Sequence, residues 1–227
     1  MRSPECAARV SGVPIARPYG DPMEKRVSAA YGRRAAEYLD HFGSITATAE
    51  ADRMLVGSWA AGMPGRIIDV GCGPGQWTDW LRRGGADIEG VDPTPEFVDA
   101  ARRRFPGTSF RAARAEDLGV PDGGVAGILA WYSLIHVEPA RIGVPLAEFA
   151  RCLRPGGGLA IGFFTGTRLE AFDHAVTTAW FWPVDRLAAA VEAAGFTVTE
   201  TRTRTDPGAR PHAALLATHT IVESYPR

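Results

Sequence analysis

Cysteine is scarce in this chain of 227 residues. Cys6, Cys72 and Cys152 stand far apart, with no CxxC or HxxxH spacing. That argues against a disulfide framework and against a structural zinc site. Long apolar runs are missing too: no window approaches the ~20 uninterrupted apolar residues that a membrane-spanning helix needs. The opening segment, residues 1–22, has an Arg near its start but no apolar core of signal-peptide length. An excess of charge of either sign is also absent, with 25 Lys plus Arg against 26 Asp plus Glu, a formal net charge of -1. Such a balance provides no general attraction for phosphate backbones or anionic lipid. The one dense cluster, Arg102, Arg103 and Arg104, falls near a helix end, where cations complement the dipole. The expectation is a soluble, cytoplasmic protein with no nucleic-acid or membrane partner. Nothing in the sequence signals its oligomeric state.

What is present is a globular composition, 45% hydrophobic, and enough chain for one sizeable domain. Residues 1–22 are rich in Pro, Gly and Ala without periodicity and read as a loose tail, either flexible, folded over a site as a lid, or not native if Met23 is the true start. Residues 23–227 then read as one domain. From Glu24 to Phe42, Val27, Tyr31, Ala35, Tyr38, Leu39 and Phe42 recur at helical spacing, and a second helix is expected over Thr46 to Ala60. From about residue 65, short apolar runs alternate with helical patterns: "RIIDV", "QWTDWLRRG", "DIEGVD", "PEFVDAARRRF", and so on to about residue 220. This alternation, with short Gly and Pro punctuation, predicts an α/β, Rossmann-like, doubly wound and mostly parallel sheet with helices on both faces. Only "DPGARP" separates the last two strands. A connection that short permits a hairpin, so one strand must run antiparallel.

The stretch "RIIDVGCGPGQW" sets three glycines at alternate positions behind a buried strand that carries an acid. In an open parallel sheet, ligands bind outside the carboxyl ends of the strands where the strand order reverses. Glycines there allow positive φ and close approach of backbone to ligand. A phosphate-binding P-loop would need Gly-Lys-Ser/Thr, but Gly75 is followed by Gln76 and Trp77. A dinucleotide loop would need Gly three residues after Gly73, where Gln76 stands, and would set the Asp69 carboxylate beside a pyrophosphate. A carboxylate at that spot suits a cationic ligand.

At this point the chain resembles the class I S-adenosylmethionine-dependent methyltransferases. The matched pattern is Asp69-Val70-Gly71-Cys72-Gly73-Pro74-Gly75, followed in order by "EGVDPTPEFVDAAR", "ARAEDLGVPDGGVAGIL", "ILAWYSLIHVEP" and "FARCLRPGGGLAIGFF". The resemblance covers about residues 24–220 and implies a seven-stranded sheet closed by the antiparallel hairpin. It also implies S-adenosyl-L-methionine as cofactor, with S-adenosyl-L-homocysteine as product. The cofactor side would draw on Tyr31, Asp69, Gly71, Cys72, Gly73, Gln76, Asp92, Pro93, Ala115, Glu116, Asp117 and Trp131. Asp92 would grip the ribose hydroxyls, and the Ala115 to Asp117 segment would hold the adenine. Each residue also has a plainer reading. The glycines could serve only a tight turn, Asp92 could cap the helix after it, and Glu116 or Asp117 could be turn acids. Cys72 reads as a small turn residue rather than a nucleophile.

The acceptor side is expected at Tyr132, His136, Phe164, Trp180 and Trp182. His136, just past "WYSLIH", is the candidate general base because it can titrate near neutrality. The (D/N)PPY motif of base-amine methyltransferases is missing, the strand end carries no acidic metal ligands, and no paired-glutamate hairpin is seen. The expected reaction is therefore metal-independent methyl transfer to a small organic acceptor, the alternatives being a protein or tRNA methyltransferase or a non-catalytic cofactor-binding domain. An insertion over about residues 165–183 holds Phe172, His174, Trp180, Phe181 and Trp182. It reads either as an aromatic wall for a substrate or as a strand covering a core, with Trp180 and Trp182 on one face and Phe181 on the other.

Overall fold

In a computed structural model, residues 22–33 and 44–220 are described. The chain opens with α1 (Pro22–Arg33) and, after a 3-10 turn at Ile45–Ala47, continues with α2 (Glu50–Ala61). Then come β1 (Ile67–Val70), α3 (Gln76–Arg83), β2 (Ile88–Asp92), α4 (Pro95–Arg104), β3 (Ser109–Ala112) and β4 (Val125–Trp131). They are followed by α5 (Gly143–Cys152), β5 (Leu153–Phe164), a hairpin of β6 (Glu170–Asp173) and β7 (Thr178–Phe181), α6 (Val184–Ala193), β8 (Phe196–Arg204) and β9 (His212–His219). Seven strands make one sheet in the order β3-β2-β1-β4-β5-β9-β8. Neighbours from β3 to β5 pair in parallel, and β9 runs antiparallel to both β5 and β8. This is the doubly wound sheet with its reversed strand that the alternation and the short last connection required.

Three boundaries differ from expectation. The first helix begins at Pro22, and residues 34–43, with the expected Ala35, Tyr38, Leu39 and Phe42, lie outside the described residues, as does the tail over 1–21. The second helix starts four residues later than Thr46. Ser44 accepts the Thr46 amide, and the Thr48 hydroxyl donates to the Ile45 carbonyl. Local side-chain bonds of this kind compete with the helix, so it begins only at Glu50, with Glu50 and Asp52 in its first turn. The insertion is also not one strand but the separate β6–β7 hairpin, with Phe172 stacked on Phe181 at 4.2 Å between ring centroids.

Strand alternation sets the core. On one face Ile68, Val70, Ile128, Ala130, Leu159 and Ile161 pack with Leu146 and Phe149 of α5 and with Leu187 and Val191 of α6. On the other, Ile67, Leu129, Trp131 and Ala160 meet Leu55, Val56 and Trp59 of α2 and Trp77 and Leu81 of α3. Each large aliphatic side chain so buried is worth about 1.5–3 kcal/mol before entropy is counted. β1 and β4 are buried along their whole length, as a strand covered on both sides must be. Among the described residues no helix is long and apolar enough to cross a membrane.

Candidate active site

The strand order reverses between β1 and β4, and their carboxyl ends open into a cavity of about 500 Å³. Its floor is the glycine loop. Gly71 has φ 67, and a Cβ there would stand 2.4 Å from the Cβ of Ser133, so the loop after β4 closes directly onto backbone. Gly73 has φ 53, and a Cβ there would meet nothing within 4 Å. One glycine is needed for packing; the other leaves a cradle open to the cavity.

Two acids stand behind this floor. The Asp69 side chain is buried and accepts the Thr78 hydroxyl at 2.7 Å. Asp92 accepts the amide of Gly73 at 2.9 Å through Oδ2 and that of Thr94 at 2.8 Å through Oδ1. Asp92 thus organises the entry to α4 and lines the cavity as well. Burial raises the Asp69 carboxyl to about 7, against the Thr78 bond and with the charge of Asp92 adding to the rise. Burial likewise raises Asp92 to about 6, opposed by the amides of Thr94 and Gly73. Among the described residues neither carboxylate forms an ion pair. Two buried acids without an ion-pair partner among the described residues fit a cationic ligand, although Arg114 and Arg141 also line the cavity.

Of the residues expected on the cofactor side, Tyr31, Gly71, Gly73, Asp92, Pro93, Ala115, Glu116 and Trp131 line this cavity. Asp69, Cys72, Gln76 and Asp117 are not among its lining residues. Asp69 acts from beneath the floor. The Cys72 thiol is buried, and burial with the nearby Asp92 and Asp69 charges pushes its pKa up, the opposite of a nucleophile. Asp117 is exposed and accepts the Gly119 amide, a turn acid. Gln76 opens α3, and its Oε1 is buried with no hydrogen-bond partner.

On the acceptor side, Tyr132 and His136 line the cavity and Phe164, Trp180 and Trp182 do not. Trp182 is buried in the main core, and Trp180 packs against it. Both therefore behave as the covering strand required, with the hairpin's job being different from a wall. It clamps the loop after β4: the Trp180 amide donates to the Ile135 carbonyl at 3.0 Å, and His136 Nδ1 lies 2.7 Å from the Thr178 carbonyl oxygen. Phe164 touches Tyr132 at 5.2 Å between centroids and supports it from behind.

The structure adds residues the sequence did not single out. Val27 and Ser28 of α1 and Phe97 of α4 line the cavity, and the Ser28 hydroxyl donates to the Pro93 carbonyl at 3.1 Å. Tyr31 Oη lies 2.8 Å from His136 Nε2, and Tyr132 Oη lies 2.6 Å from Nδ1 of His212. Tyr132 holds φ 59, unusual for a residue with a Cβ and a mark of a constrained site. The Ser133 hydroxyl, on the same loop, is buried with no hydrogen-bond partner. No local signal could have found the tyrosine–histidine pairs, because their members are remote in sequence.

Comparison with known proteins agrees with this geometry. Residues 67–157 match the family model described as "Methyltransferase domain". An uncharacterized methyltransferase of Mycobacterium tuberculosis is 38% identical over 96 residues, 42% of this chain and 38% of that protein. The trans-aconitate 2-methyltransferase of Methylobacterium nodulans is 38% identical over 132 residues, 56% of this chain and 48% of that protein. The matches thus span less than half the length of these two curated relatives. Among solved structures, the 1,6-didemethyltoxoflavin-N1-methyltransferase of Burkholderia thailandensis, with bound 1,6-didemethyltoxoflavin and S-adenosylhomocysteine, superposes with TM-score 0.69 at 22% identity, covering 94% of this chain and 99% of that one. Acid, glycine loop and strand order concur with these likenesses: residues 67–157 match a methyltransferase domain, and the fold is the Rossmann-like one of S-adenosylmethionine-dependent methyltransferases.

Proposed function

We propose that the protein transfers a methyl group from S-adenosylmethionine to a small organic acceptor, without a metal ion. One observation carries the cofactor half: Asp69 and Asp92 are buried without an ion-pair partner among the described residues, beside a glycine loop that leaves open space at Gly73. S-adenosylmethionine is cationic and free of phosphate, which suits that charge. The orphaned Ser133 hydroxyl in the cavity lining also fits a ligand that brings a polar partner. Asp92 would accept the ribose hydroxyls, Gly71 and Gly73 would admit the ligand to the backbone, and Ala115 and Glu116 would flank the adenine. When bound, the cofactor supplies a methyl group on a sulfonium, an electrophile that needs alignment more than activation. The protein's share is to hold the acceptor, exclude water and receive a proton where the acceptor carries one.

The acceptor half rests on cavity size and on relatives. About 500 Å³ is within the range of small-molecule sites and must serve cofactor and acceptor together. The named activity of the trans-aconitate 2-methyltransferase relative likewise concerns a small molecule. His136, buried and with Nε2 2.8 Å from Tyr31 Oη, would receive a proton.

Calorimetry with S-adenosylhomocysteine and with NADH tests the cofactor: the first should bind and the second should not. Radiolabelled methyl donor, incubated with the protein and a cell lysate, should then label the small-molecule fraction. Label confined to protein or RNA would replace the acceptor class, and cofactor binding without any transfer would make the chain a binding domain.

A further inference from the structure

The cavity wall carries a hydrogen-bonded chain that ends on a main-chain oxygen. Tyr31 Oη stands 2.8 Å from His136 Nε2, and His136 Nδ1 stands 2.7 Å from the carbonyl oxygen of Thr178. A carbonyl can only accept, so Nδ1 carries the imidazole proton and Nε2 of the neutral ring is bare. The Tyr31 hydroxyl therefore donates to Nε2. Burial lowers the His136 pKa from its ordinary value, opposed by the Thr178 carbonyl, so the neutral ring is the resting form near neutrality. Among the described residues lining the cavity His136 is the one histidine, and its basic nitrogen already faces Tyr31, which lines the same cavity.

We propose that Tyr31 is a catalytic residue that relays a proton from the acceptor to His136, and that the acceptor atom is the oxygen of a weakly acidic hydroxyl. The proposal rests on the methyl-transfer reading given above. As the acceptor oxygen gains the methyl group, the methyl–sulfur bond breaks and leaves neutral S-adenosylhomocysteine, while the acceptor's O–H bond breaks and an O–H bond forms at Tyr31. The original Tyr31 O–H bond breaks as an N–H bond forms at His136 Nε2. The imidazolium keeps the positive charge that would otherwise remain on an oxonium, and its Nδ1–H stays donated to Thr178. No oxidant or further reactant enters.

The chemistry selects the hydroxyl. Carboxylates, with pKa near ~4, are ionised at neutral pH and need no proton acceptor. A neutral amine attacks through its lone pair and releases its proton afterwards. A phenol, with pKa near ~10, or an alcohol above it, stays protonated and is a poor nucleophile until a base takes the proton in the transition state. The hairpin's backbone hold on His136 fixes the tautomer whose bare Nε2 can accept a proton.

The test uses the full chain. Nuclear magnetic resonance with nitrogen-labelled histidine should show the Nδ1-protonated tautomer of His136, and Tyr31→Phe should move its Nε2 resonance. Calorimetry should find S-adenosylhomocysteine affinity within about threefold of native in that variant. Radiolabelled methyl donor is then offered with a panel of phenols and alcohols and, separately, a panel of carboxylic acids. Methyl ethers are expected. Tyr31→Phe and His136→Gln should each lower the maximal rate by ~10²–10⁴-fold, the double variant being no worse than the poorer single one. A His136 resonance indifferent to Tyr31→Phe overturns the relay. So does a native-like rate in that variant, including one with tenfold weaker S-adenosylhomocysteine binding, which would make Tyr31 a cofactor contact. Methyl esters alone, or no transfer to any hydroxyl compound, overturn the acceptor class. Failure of the native chain to bind S-adenosylhomocysteine overturns the methyltransferase reading instead. If Tyr31→Phe loses its fold by circular dichroism, His136→Gln with a rate within threefold of native overturns the relay.

Discussion

Asp92 Oδ2 accepts the backbone amide of Gly73 across 2.9 Å, so a carboxylate at the end of β2 holds in place the loop that follows β1. The same side chain lines the cavity, so it braces the loop and also faces the space a ligand would fill. Asp92→Ala should weaken S-adenosylhomocysteine binding by about 1–3 kcal/mol, the range for losing a charged hydrogen-bonded contact. Calorimetry measures this directly, and an unchanged affinity would remove Asp92 from the site.

Asp69 should cost the ligand-free protein stability in order to serve a ligand. Its carboxyl lies at about 7 in the folded state against an ordinary 3.8. A raised carboxylate contributes stability that is complete below the unfolded pKa and is lost as pH rises through the folded one. The loss therefore runs from about pH 4 to about pH 7. Asp69→Asn keeps an oxygen for the Thr78 hydroxyl and removes the buried charge. Urea unfolding should show the variant more stable than native by about 1–4 kcal/mol at pH 8, with little difference at pH 4. S-adenosylhomocysteine binding should weaken in the same variant. Equal stabilities at pH 8 would mean the carboxyl is ionised there without penalty.

Gly71 is under two constraints that can be separated. Its φ of 67 is a left-handed conformation, and an added Cβ would stand 2.4 Å from that of Ser133. Gly71→Ala should destabilise the fold by about 2–4 kcal/mol, the sum of a left-handed penalty and an overpacking one. Combining it with Ser133→Gly should recover the overpacking part only. Full recovery would show that the backbone angle is costless, and no recovery that Ser133 is not the obstacle.

The Tyr132–His212 bond sets up a different comparison. The Tyr132 hydroxyl, 2.6 Å from His212 Nδ1, has its pKa pushed up by burial, and burial also lowers that of His212. His212→Ala leaves a largely buried hydroxyl without this acceptor and should cost about 1–3 kcal/mol, whereas Tyr132→Phe should cost about 0.5–1.5 kcal/mol. A double-mutant cycle by denaturant unfolding should show coupling of at least ~0.5 kcal/mol. Strict additivity would mean the pair contributes nothing as a bond.

The fold was legible because its signals are local. Four-residue runs such as Ile67–Val70, apolar but for Asp69 and ending at Gly71, alternate with helical patterns and so predict buried parallel strands. The glycine loop and its two acids were legible for the same reason, since Asp69, Gly71 and Gly73 lie within one turn and Asp92 ends the adjacent strand. The insertion was not. Its aromatics have the composition of a ligand wall, but Trp182 sits in the main core and the hairpin spends its backbone groups on residues 135 and 136.

The amino-acid order by itself thus determined the parallel sheet, the reversed last strand, and a glycine loop beside acids suited to a cationic ligand. Each of these follows from periodicity, turn length or backbone freedom acting over a few residues. Only the tertiary structure decided which side chains meet at the acceptor end. Tyr31 reaches His136 across 105 positions, and Tyr132 reaches His212 across 80. Those meetings depend on how α1 is rotated over the cavity and on the register of β9 against β5, where Phe164 stands opposite His212. Docking angle and register are set by the packing of whole elements against one another, so no short stretch of sequence encodes them.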